Sequence, residues 1–265
     1  MRSCLILGSP RGGTSLVAGT LFRSGYFMGD YLWPADEFNP KGQFEDILVN
    51  GINEELLETV VPKAPKRPIR WVVGRGMFRY GQRWLAVLPK DAEIRSSPAI
   101  DRSIKALVER RPFCFKDPRF SYTLPAWRPF LGDAAFVCIF REPARTANSI
   151  LNCLERNPDL SNLSMNFDAA LEVWTAMYER IVTTHRHQGD WLFIHYEQIM
   201  DRSAAGRIHG LLDVSPDLAF PDEELRRSQP DGALPARTSD VYEALCELAG
   251  FRPGAARERV SATAS

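Results

Sequence analysis

The chain has 265 residues, of which 45% are hydrophobic and 25% charged, a composition that suits one large α/β domain with ample material for a buried core. Lys+Arg and Asp+Glu are equal at 33 each, so no global field draws the protein to nucleic acid or to an anionic membrane, and a small partner is expected. The five cysteines (4, 114, 138, 153 and 246) are odd in number, widely spaced and mostly set in apolar runs, which fits buried thiols of a reducing compartment better than a disulfide frame or a metal site. The N-terminal apolar run is too short for a signal peptide and no window approaches the length of a membrane helix, so a cytoplasmic chain with no membrane span is expected.

The first element is the strand Cys4-Leu5-Ile6-Leu7, which breaks into Gly8-Ser9-Pro10-Arg11-Gly12-Gly13-Thr14-Ser15 and then shows Leu16, Val17, Leu21 and Phe22 at helical spacing, closing at Ser24-Gly25. Strand, glycine loop and helix start together form an anion cradle: the glycines let N–H groups turn inward, and Thr14 and Ser15 add hydroxyls. Gly8 to Ser15 has the spacing of the P-loop G-x-x-x-x-G-K-[ST], except that Thr14 stands where the lysine should be. That lysine serves the β- and γ-phosphates of a triphosphate, so its loss points to a different anhydride, with Arg11 keeping one cation in the loop. The alternative is a tight strand-to-helix turn with no ligand.

Residues 26–44 mix Gly, Pro, Asn and aromatics without a period, as in a functional loop. From Glu45 the pattern turns helical, with Ile47, Leu48, Ile52, Leu56 and Leu57 on one apolar face and Glu54, Glu55 and Glu58 mostly off it. Glu45 and Asp46 then fall in the first turn, either as dipole and capping residues or as a base facing the glycine loop. Residues 62–70 read as an extended basic connector, and 77–88 and 98–111 as helices of a cap outside the sheet, giving an insert over about 62–111 on the acceptor side.

The run 112–115 ends in Lys116-Asp117-Pro118-Arg119 and leads to a helix marked by Leu124, Trp127 and Leu131. In an open parallel sheet ligands gather beyond the carboxyl ends of the strands, where these charges fall; the alternative is a solvated turn with a salt bridge. The strand 134–140 is almost continuously apolar, as in a parallel sheet covered on both faces, and ends on Arg141-Glu142-Pro143, with Pro143 at the first helical position. Arg141 suits a second oxyanion, or an ion pair with Glu142 or Glu45, and Ser149 lies on the following helix four residues after Arg145. Two anion sites on neighbouring strands imply a bis-phosphorylated ligand. A long amphipathic helix over 167–188 ends at His185 and His187, read as solvated helix-end cations because their spacing disfavours a metal pair. The last strand, 191–196, delivers Tyr196; short helices follow around 208–212 and 239–249, and 251–265 is a flexible polar tail.

Taken together, GSPRGGTS near the N-terminus, FED at 44–46, KDPR at 116–119, FREPARTANS at 140–149 and HYEQI at 195–199 resemble the sulfotransferases that use 3′-phosphoadenosine-5′-phosphosulfate (PAPS), in order and spacing over about residues 1–215. The fit is closest to bacterial branches acting on hydroxyl groups of glycans, lipids or glycopeptides. The expected architecture is α/β, a P-loop-like three-layer fold with a central parallel sheet flanked by helices and a helical cap, in one domain over 1–250. The resemblance implies that Arg11, Gly12, Gly13, Thr14 and Ser15 hold the 5′-phosphosulfate and that Arg141 and Ser149 hold the 3′-phosphate. It also implies Glu45 as the base that deprotonates the acceptor, Lys116 or Arg119 near the sulfuryl group or acceptor, and Tyr196 or Trp33 near adenine. Arg237 lies where some members place a further phosphate contact, although the RKG-type signature is absent. PAPS is then co-substrate, adenosine 3′,5′-bisphosphate (PAP) the product, no metal is required, and the acceptor is a small molecule, glycan or lipid bearing a hydroxyl or an amine. Two other readings stay open: a P-loop nucleotide kinase or triphosphatase, and a non-catalytic nucleotide or glycan binder. Aromatics at 31, 33, 71, 78, 80 and 84 suit a sugar face and an aromatic ring equally.

Overall fold

A computed structural model describes residues 1–61, 78–222 and 234–253. Four strands, β1 (Cys4–Leu7), β2 (Cys114–Lys116), β3 (Ala135–Phe140) and β4 (Trp191–His195), form one parallel sheet in the order β2-β1-β3-β4. Leu5 lies between Phe115 and Phe136, and Phe136 pairs with Trp191. The strands are apolar almost throughout because helices cover both faces.

Nine α-helices are present among the described residues: α1 (Thr14–Leu21), α2 (Ile47–Glu58), α3 (Pro98–Val108), α4 (Phe120–Leu131), α5 (Pro143–Arg156), α6 (Phe167–Thr183), α7 (Tyr196–Met200), α8 (Ala205–Leu212) and α9 (Ala236–Ala249). Alternate strand residues go to opposite faces, as the two-residue period of a strand requires. Leu5, Leu7, Phe115, Phe136, Cys138, Phe140 and Phe193 pack with α2, α3, α4, α6 and α9. Ile6, Val137, Ile139 and Ile194 pack instead with α1 and α8. Helix α3 rests on α2 and α4 through Ile100, Ile104, Leu107 and Val108, outside the sheet as expected. The chain runs from β1 to β2 on one side and returns to β3 on the other. The loops after β1 and β3 therefore open side by side at the switch point of the sheet.

Several expectations need correction. Helix α2 begins at Ile47, and Asp46 is its N-cap, accepting from the N–H groups of Leu48 and Val49, so Glu45 lies outside the helix. Its buried face is Val49, Ile52, Leu56 and Leu57, while Ile47 and Leu48 are exposed. In the described part of 77–88 there is only a 3-10 turn, Arg83–Leu85, because Glu54 captures this segment: its carboxylate accepts the N–H groups of Gly81 and Arg83, each at 3.0 Å. The connector at 62–70, Trp71 and the tail from 254 lie outside the described residues. His185 is buried in a turn after α6, with Nε2 at 3.1 Å from the Ser121 carbonyl, so of the two histidines only His187 is solvated.

Glu54, expected off the apolar face, is buried and is the hub of a polar network. It pairs with Arg83 at 2.8 Å and Arg119 at 2.6 Å, all three being almost wholly inaccessible. Arg119 also binds Asp117, whose other oxygen accepts from Asn50 and Asn53. Removing one partner of a buried pair leaves an uncompensated charge and costs about 3–5 kcal/mol. Glu54→Ala is therefore expected to lower unfolding stability by about that amount, read from the urea midpoint at unchanged slope.

Candidate active site

The glycine loop is pressed against its neighbours. A side chain at Gly8, where φ is +151°, would place Cβ 2.4 Å from the carbonyl oxygen of Ile139 on β3, and one at Gly12 would meet the Tyr178 hydroxyl at 2.6 Å. Gly12 uses its own N–H inside the loop, donating to Ser9 at 3.1 Å. Thr14 and Ser15 open α1, where the leading N–H groups have no acceptor within the helix and the dipole is positive.

Arg11 lies in the left-handed region at φ 61°. Its guanidinium donates to Ser149 on α5 at 3.2 Å, to Asn39 at 3.3 Å and to the Phe38 carbonyl at 3.2 Å. Arg141 is buried at the end of β3, its guanidinium 4.6 Å from the centre of the Tyr196 ring. Glu142, which follows Arg141, caps α5 by accepting from Ala144 and Arg145. Tyr196 also borders Gly13, where an added Cβ would lie 3.0 Å from its ring. The Tyr196 ring thus neighbours both the glycine loop and the end of β3.

Lys116, buried at the end of β2, donates to Ser15 Oγ at 3.2 Å and to the carboxylate of Glu45. Burial draws its pKa below the usual lysine value, against the opposing pull of Glu45. Of the two cations left open by the sequence, Lys116 reaches the glycine loop, and Arg119 braces Asp117 and Glu54 beneath it.

A cavity of about 820 Å³ opens over these groups, lined by Arg11, Thr14, Ser15, Lys116, Arg141 and Ser149. Glu45, Trp33, Asn50, Tyr80 and Gln82 line it as well. The predicted residues Gly13 and Tyr196 also form part of its wall. Arg237 is committed elsewhere, to Glu172 at 2.7 Å and Glu179 at 2.6 Å on α6. Sequence reasoning missed Asn39, Asn50, Glu54 and Gln82. The signal for two of them was present, since Asn50, Asn53 and Glu54 recur at helical spacing inside an otherwise apolar helix.

Behind Tyr196, His195 is stacked on Phe251 at 3.7 Å; its Nδ1 accepts from the Glu197 N–H and its Nε2 lies 3.2 Å from the Tyr242 hydroxyl. Burial, helped by Arg141 and Arg145, lowers the His195 pKa to about 3.

The sequence matches the profile of the Sulfotransferase family over residues 4–215. The sulfotransferase domain from the curacin biosynthetic pathway superposes with a TM-score of 0.54 at 13% identity, covering 95% of this chain and 99% of that one. The sulfotransferase domain from the Synechococcus PCC 7002 olefin synthase gives 0.50 at 16% identity, covering 92% of this chain and 94% of that one. At such identities the likeness is one of fold. No curated protein matches the sequence.

Burial likewise lowers the His185 pKa, to about 4. Both histidines are thus neutral in the folded protein at pH values where the unfolded chain, with its ordinary value of 6.5, binds protons. Their contribution to stability is complete above pH 6.5 and is lost as pH falls from there toward about 4 for His185 and about 3 for His195. The melting temperature is expected to drop between roughly pH 7 and pH 5, and His185→Asn to make that drop smaller.

Proposed function

Since the chain belongs to the sulfotransferase family, we propose that it moves a sulfuryl group from PAPS to an acceptor hydroxyl or amine by in-line transfer, with Glu45 as general base. The observation that carries this reading is the hydrogen bond from Arg11 to Ser149, which ties the loop after β1 to the helix after β3. Two oxyanion cradles thereby share one cavity, as a nucleotide phosphorylated at both ends of its ribose requires. Gly12 and Gly13 let the loop pack directly on Tyr178 and Tyr196, where a Cβ would clash.

When bound, PAPS supplies an activated sulfuryl group on a phosphate leaving group. Arg11 and the N–H groups of Thr14 and Ser15 hold the 5′ side, Arg141 and Ser149 the 3′-phosphate, and Tyr196 offers its ring to the nucleoside. Glu45 takes the acceptor proton as the acceptor oxygen bonds to sulfur. The bond from sulfur to the phosphate oxygen breaks, and its electron pair remains on that oxygen beside Arg11 and the start of α1. Lys116, held between Ser15 and Glu45, keeps the base next to the loop. A sulfuryl group carries about one negative charge where a terminal phosphoryl carries about two, so fixed donors suffice and no metal is required. The five cysteines, all free and buried, fit a reducing cytoplasmic setting.

Glu45→Gln is expected to reduce turnover by about 10²–10⁴ while PAP binding persists; near wild-type turnover would remove Glu45 from the role of base. In a thermal-shift comparison PAP is expected to stabilise the protein well above ATP with magnesium, by about 2.7 kcal/mol at a hundredfold excess over Kd. Stronger stabilisation by ATP with magnesium would favour a kinase or triphosphatase, and PAP binding with no transfer to a broad acceptor panel would favour a non-catalytic binder.

A further inference from the structure

We infer that the acceptor is an apolar alcohol, with its hydroxyl at Glu45 and an alkyl or aryl body lying against Trp33, Ile47 and Tyr80. This rests on the sulfuryl-transfer reading and names the substrate class of that site. The three side chains are between 42% and 59% exposed, and all border the cavity that Glu45 also lines. They come together for backbone reasons. Trp33 N–H donates to the Glu45 carbonyl and Ile47 N–H to that of Tyr31, which lays 31–33 along 45–47. One helical turn after Ile47, Gly51 faces the Tyr80 hydroxyl, which an added Cβ would meet at 3.2 Å.

Three polar side chains of the cavity lining, Asn50, Gln82 and Glu54, are already engaged. Asn50 accepts from the Trp33 indole and donates to Asp117, each at 2.8 Å. Gln82 donates to Asp159 and Asn162 and accepts from the Arg79 N–H and from Asn162. Glu54 accepts from Gly81, Arg83 and Arg119. A sugar brings several hydroxyls that need partners when they leave water, and unpaired ones cost affinity. Burying Trp33, Ile47 and Tyr80 under an apolar body recovers hydrophobic free energy without disturbing those bonds.

The test uses the full chain, radiolabelled PAPS and four probes: naphthol, decanol, glucose and cellobiose. PAP-induced stabilisation is recorded in parallel. The expected result is kcat/KM at least about tenfold higher for naphthol or decanol than for either sugar, and their order tells an aryl from an alkyl body. Trp33→Ala and Tyr80→Ala should each raise KM for the better alcohol about tenfold with the PAP shift retained, and Trp33→Phe should restore most of the loss. With PAP stabilisation intact, preference for a sugar, no transfer to either alcohol, or unchanged KM in both alanine variants overturns the acceptor assignment alone. Absence of PAP stabilisation overturns the sulfuryl-transfer reading, and the acceptor assignment with it.

Discussion

The Tyr178 hydroxyl donates to the Ile139 carbonyl at 2.6 Å, and everything at the site is positioned from that contact. Gly8 and Gly12 close over the same two groups with no room for a Cβ. The loop after β1 is thus clamped to β3 and α6, and its distance from Arg141 at the end of β3 is fixed by backbone. A ligand with phosphates at two positions needs such a fixed span, because donors set in advance need not reorganise when charge develops. Tyr196, against both Gly13 and Arg141, closes the same span from β4.

A second layer lies beneath. Asp117, Arg119, Glu54 and Arg83 form a buried chain of charges that joins the loop after β2 to α2 and to the segment around residue 81. A buried ion pair is seldom a net source of stability, because desolvation offsets the attraction. Its effect here is positional: Glu54 fixes the backbone of Gly81 and Arg83, and so the wall that carries Tyr80 and Gln82.

The sheet, the glycine loop and the position of Arg141 were legible because each rests on local chemistry: an apolar run, a glycine spacing, a cation at a strand end. The start of α2 was misread by two residues because acidic side chains suit both the N-cap and the first turn, and only the extended backbone of Asp46 decides between them. Glu54 was assigned to solvent because helical periodicity sorts residues by polarity and cannot see that two guanidinium groups arrive from 29 and 65 residues away. The helix expected over 77–88 fails for the same reason, since tertiary capture by Glu54 overrides local propensity. Arg11 was read as a loop cation, and its reach to Ser149, 138 residues distant, follows from the parallel pairing of β1 with β3.

The missing P-loop lysine acquires a physical meaning in this arrangement. Thr14 stands at that position, and the ammonium that approaches the loop comes from β2, where Lys116 meets Ser15. A lysine on the loop itself would serve only the phosphates. One arriving from the neighbouring strand has a second ligand, the carboxylate of Glu45, so the glycine loop and Glu45 share a single buried cation. In the proposed transfer, charge leaving the Glu45 carboxylate as it accepts a proton and charge arriving on the phosphate as the bond to sulfur breaks would both lie near that ammonium. The lysine can therefore stay charged and in place while negative charge passes from the carboxylate to the phosphate, which is the electrostatic demand of transferring a group between two oxygens.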